Sequence, residues 1–81
     1  MVRSRSVTAF LGESQIANAL SDIQDQFPSV DIGSYPFFKN ERYGTSLVMR
    51  GTDEPTLDET LEAVKAAIIA AGETPQDVHH G

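Results

Sequence analysis

The chain has 81 residues, enough for one small domain. Its 40% hydrophobic and 22% charged content is that of a globular protein rather than a disordered polymer. It contains no cysteine, which excludes a disulfide framework and a thiolate metal site, and its net charge of −6 argues against a nucleic-acid partner.

Residues 3–11 read as a strand, with Val7, Ala9 and Leu11 on one face, and Gly12 breaks it. Glu13 to Phe27 reads as a helix. Ile16, Leu20, Ile23 and Phe27 recur on one face, Glu13 favours the first turn, and Pro28 stops the run. Val30 to Gly33 reads as a short strand. Pro36 then suits an edge or a strand end. Lys39 to Arg42 is a polar turn. Tyr43 to Arg50 is the strongest strand, apolar on both faces. Thr56 and Glu59 have capping-box spacing, which would satisfy the first amides of a second helix. Its face is Leu57, Leu61, Val64, Ile68 and Ala71, and Gly72 is the stop. Residues 76–81 read as a flexible tail after a single domain at residues 3–75.

The order β-α-β-β-α implies an α+β two-layer sandwich, with both helices on one face of a three-stranded antiparallel sheet. Its spatial strand order is 1-3-2, as in a ferredoxin-like fold without a clear fourth strand. The outer edge of the first strand is then unpaired. That makes Arg3, Arg5, Val7 and Ala9 candidates for docking along a sheet edge. No window approaches the roughly 20 apolar residues of a bilayer span. No apolar leader follows Met1 either, so a cytoplasmic setting without a membrane partner is expected.

Charge follows the elements. Arginines lie on or beside strands, whereas most acids lie on helices, and residues 51–81 hold seven acids against Lys65. The run Gly33-Ser34-Tyr35-Pro36, with Arg42 and Arg50, is therefore the candidate ligand or docking surface, since backbone amides beside cations suit an anion. The simpler reading is a strand ending in a turn amid scattered solvated charge. His79 and His80 adjoin in the tail with no acids to complete a metal site, so neither a metal nor a cofactor is expected. Ser34, Thr45 and Ser46 have no histidine in the ordered part of the chain. Asp58 and Glu59 are adjacent on a helix and point apart, so no catalytic couple is implied.

Three runs carry a family resemblance: Glu13 to Ala17, Phe27 to Pro36 and Tyr43 to Asp53. Together they resemble the C-terminal region of the competence/damage-inducible protein A family, whose N-terminal domain is molybdopterin-binding-like. The same region resembles the segment after the molybdopterin-binding-like domain in some eukaryotic FAD synthases. The resemblance implies a non-catalytic accessory domain. Such a domain would dock on the N-terminal molybdopterin-binding-like domain of its parent, or mediate oligomerisation. The alternative is a module that binds a small anion, such as a nucleotide or pterin phosphate, through Gly33, Ser34, Arg42 and Arg50. Relatives of this region are sometimes called KH-like, but this chain has no GxxG loop between two helices.

Overall fold

The computed structural model describes residues 1–81. In chain order its elements are β1 (Arg3–Ala9), α1 (Glu13–Gln26), β2 (Asp31–Lys39), β3 (Arg42–Gly51), α2 (Glu54–Ala70) and β4 (Gln76–His80). The sheet is antiparallel in the order β2-β3-β1-β4, with both helices on one face. The two-layer sandwich and the 1-3-2 order match the sequence expectation.

The strand count does not. Residues 76–80 form a fourth strand rather than a tail, and the outer edge of β1 is covered. Every β4 side chain is exposed, so no apolar pattern announces the strand. Main-chain bonds, helped by the Thr8 side chain, recruit it. Ser4 and Gly81 exchange reciprocal backbone bonds of 3.1 and 2.8 Å, and the Thr8 hydroxyl donates to the Gln76 carbonyl at 3.1 Å. A bulge between Ser6 and Thr8, with Asp77 at φ 49°, keeps the strand short.

Alternation decides what each strand residue meets. Val7, Ala9, Leu47 and Met49 face the helices and are buried with Ile16, Ile23, Leu57, Leu61, Val64 and Ile68. Ser6, Thr8, Ser46, Val48, Gly33 and Tyr35 face the other way, where no helix covers the sheet.

The helix ends are specified locally. Asp53, not Thr56, caps α2, and its carboxylate accepts the Thr56 amide at 3.1 Å. Helix α2 therefore starts two residues before Thr56, with Pro55 in the first turn. At its far end Gly72 takes φ 91°. The Glu73 amide bonds the Ile68 carbonyl and the Gly72 amide bonds that of Ile69, which closes the helix. Asn40 and Glu41 both have positive φ in the two-residue turn joining β2 to β3. The Tyr35–Pro36 bond is trans.

Candidate functional site

The principal concavity lies between α1 and β2, a groove of about 280 Å³. Ala17, Leu20 and Ile32 give it an apolar floor, and Glu13, Ser21, Gln24 and Ser34 give it a polar rim. Gln24 joins helix to strand. Its amide nitrogen donates to the carbonyls of Val30 at 2.6 Å and Phe27 at 3.2 Å, while its oxygen accepts the Ile32 amide at 3.3 Å. The Ser34 hydroxyl donates to the Glu13 carboxylate at 2.9 Å. A carboxylate already holding the hydroxyl repels an anion, so Ser34 is not poised for phosphate.

The other residues of the expected anion site do not gather around it. Gly33 and Tyr35 lie on the helix-free face, whereas Ser34 and Pro36 point to the helix side. The Tyr35 hydroxyl lies over Gly33. Arg42 and Arg50 stand at opposite ends of β3, eight residues or about 26 Å apart. Arg42 stacks 4.2 Å from the centroid of Phe10, which meets Phe37 edge-on at 5.8 Å. Its Nη2 is also 3.9 Å from Glu73. Arg50 pairs in register with Asp31. Strand alternation sends Ser34 and Pro36 to the other face, and the length of β3 keeps Arg42 and Arg50 apart.

The proposed edge of Arg3, Arg5, Val7 and Ala9 is also corrected. β1 is an inner strand between β3 and β4. Val7 and Ala9 are core residues. Arg5 is only 4% exposed and bonds Asp58 at 2.9 Å and Glu54 at 3.4 Å. These contacts, the Asp58 hydrogen bond foremost, hold its guanidinium protonated more firmly than usual. Arg5 thus ties β1 to the start of α2. Arg3 alone stays exposed. Sequence reasoning missed Gln24, Phe10 and Phe37. A glutamine in an otherwise polar stretch gives no signal, and the aromatic pair joins β2 to the residue just past the end of β1, two elements that are not sheet neighbours.

No helix is long and apolar enough to cross a membrane. Among solved structures, the chain is similar to a de novo designed protein, Foldit4. The TM-score is 0.71 at 14% identity, over 99% of this chain and 94% of that one. A second designed protein, Ferredog-Diesel, gives 0.53 at 8% identity, over 98% and 84%. At such identities these likenesses speak to fold alone. No curated protein matches. A family model described as "FAD synthase, middle domain" matches residues 1–77. That match overturns the assignment to the competence/damage-inducible protein A family and, with it, the molybdopterin-binding label and the accessory role derived from that family. The anionic-ligand alternative has no support either, in keeping with the scattered geometry above. Of the two families named from the sequence, the match falls on the second: the chain belongs to the FAD synthase middle-domain family.

Proposed function

We propose that this domain is a non-enzymatic junction in a protein of the FAD synthase type, clipping together the chain that enters it and the chain that leaves it. One observation carries the reading. β1 and β4 are antiparallel neighbours, and Ser4 and Gly81 bond reciprocally at 3.1 and 2.8 Å. Entry and exit are therefore about 5 Å apart, one strand spacing. The domain itself is 37 Å long, so it acts as a side-mounted clip rather than a spacer. The family description as a middle domain supports this reading, because such a domain has neighbours on both sides. In the same reading its partners are those neighbours and its setting is cytoplasmic, in keeping with a cysteine-free chain.

The test is to fuse a fluorescent donor before Met1 and an acceptor after Gly81. Transfer should be efficient and insensitive to viscosity. His79 faces Ser6 in register, two residues from the Ser4–Gly81 bonded pair, so its amide points at β1. His79→Pro should remove that bond and lower the transfer while the helices persist by circular dichroism. Equal transfer in both proteins would refute the clip.

A further inference from the structure

The sheet has two edges, and they are built differently. β4 is a short, bulged strand. β2 is nine residues long and carries exposed aromatics beside it: Tyr35 at 53%, Phe38 at 61% and Tyr43 at 77% exposure. Phe38 and Tyr43 pair at 4.8 Å on the helix side, beyond the end of the α1–β2 groove.

The outward-pointing backbone groups of β2 follow from its ladder. A two-residue turn makes Lys39 and Arg42 a hydrogen-bonded pair, so the odd-numbered residues of β2 bond to β3. The even-numbered residues Ile32, Ser34, Pro36 and Phe38 then point their amides and carbonyls away from the sheet. The Ile32 amide is taken by Gln24, as that geometry requires. Pro36 has no amide to offer. Two outward donors remain, at Ser34 and Phe38. An edge reduced in this way resists indiscriminate pairing.

We infer that β2 pairs antiparallel with β2 of a second copy of this chain, about a two-fold axis at Tyr35, giving one continuous eight-stranded sheet. In that register Ser34 faces Pro36 of the second copy, and Ile32 faces its Phe38. Each free donor meets a free acceptor: the Ser34 amide meets the Pro36 carbonyl, and the Phe38 amide meets the Ile32 carbonyl. The two missing donors, at Pro36 and Ile32, leave the facing Ser34 and Phe38 carbonyls without a cross-strand partner, so the seam holds four main-chain bonds, two donated by each copy. Asp31 of each copy faces Lys39 of the other. The charge match also relieves Lys39, whose present cross-strand neighbour is Arg42. Shifting the register by two residues either leaves Asp31 opposite Phe37 or sets it opposite Glu41. Opposite Ile32, the exposed Phe38 of the second copy lies at the groove floored by Ala17, Leu20 and Ile32. Knob and hollow are thus exchanged by the same two-fold axis, as an isologous interface demands.

Sedimentation equilibrium over a loading range of about 10 μM to 1 mM tests this, with circular dichroism to verify folding. The mass should rise toward twice that of the monomer. Hydrogen exchange at the Ser34 and Phe38 amides should slow as concentration rises. Phe38→Ala and Lys39→Asp should each weaken association by about tenfold or more, and the pair Asp31→Lys with Lys39→Asp should recover it to within about threefold. A monomer across the whole range overturns the inference. So does a dimer indifferent to Phe38 and Lys39, or one that the double charge reversal fails to restore.

Discussion

Gly44 lies under the aromatic cluster on the helix-free face, and replacing it with alanine is the sharpest test of this packing. A Cβ at Gly44 would collide with Phe37 Cζ and sit 2.8 Å from the Ala9 carbonyl oxygen. The Phe37 ring can swing aside, but only by leaving its edge-on contact with Phe10, on which Arg42 is stacked. The Ala9 carbonyl belongs to β1 and cannot move without disturbing the β1–β3 ladder. Overpacking of this kind costs about 1–3 kcal/mol, and a backbone contact puts it in the upper half. Losing the aromatic pair adds about 0.5–1.5 kcal/mol. Gly44→Ala should therefore destabilise by about 3 kcal/mol in urea unfolding and lower Tm by about 15 °C. Phe37→Ala in the same chain removes the ring clash and leaves the Ala9 one. The double variant should be less destabilised than the sum of the singles by about 1 kcal/mol. A Gly44→Ala protein within about 0.5 kcal/mol of the parent would show that glycine is not required there.

Three further outcomes follow from local geometry. Glu41 has φ 60° in the β2–β3 turn, so Glu41→Gly should raise stability by about 0.5–1 kcal/mol; a lower Tm would refute that reading. The buried Thr45 hydroxyl donates to the Leu11 carbonyl at 3.0 Å, so Thr45→Val should cost about 1–2 kcal/mol in chemical denaturation, and a neutral result would mean the carbonyl finds another donor. The Thr56 hydroxyl and then its amide hold the Asp53 carboxyl below its ordinary value of 3.8. Its contribution is present above that value and is lost as pH falls through the lower folded one. Asp53→Asn keeps a capping side chain but cannot titrate, so unfolding measured from pH 6 down to about pH 2 should show a smaller acid loss than in the parent. Parallel losses would refute the assignment.

The hydrophobic periods of residues 13–27 and 57–71 and the apolar run Leu47-Val48-Met49 were enough to locate both helices and the central strand. These signals are local, because one buried face must repeat with the period of its own backbone. The Gly72 stop was legible for the same reason, since the left-handed conformation there suits glycine. The Asp53 cap was displaced by the more conspicuous Thr56–Glu59 pair, although Asp53 precedes the helix by one residue.

What the sequence alone could not decide is the pairing of the last strand and of the polar side chains. β4 packs no apolar side chain, so hydrogen bonding to β1, from its backbone and the Thr8 hydroxyl, makes it a strand. Arg5 sits in a strand of alternating burial and reads as a candidate for sheet-edge docking until α2 brings Asp58 and Glu54 to it. Gly33, Ser34, Arg42 and Arg50 are close along the chain, yet pleat and strand length send them to opposite faces and ends. Local pattern determined which segments were helix or strand and which face of each was apolar. Tertiary structure determined which edge was left open and which polar groups met, because those depend on hydrogen bonds and charges brought together from distant parts of the chain.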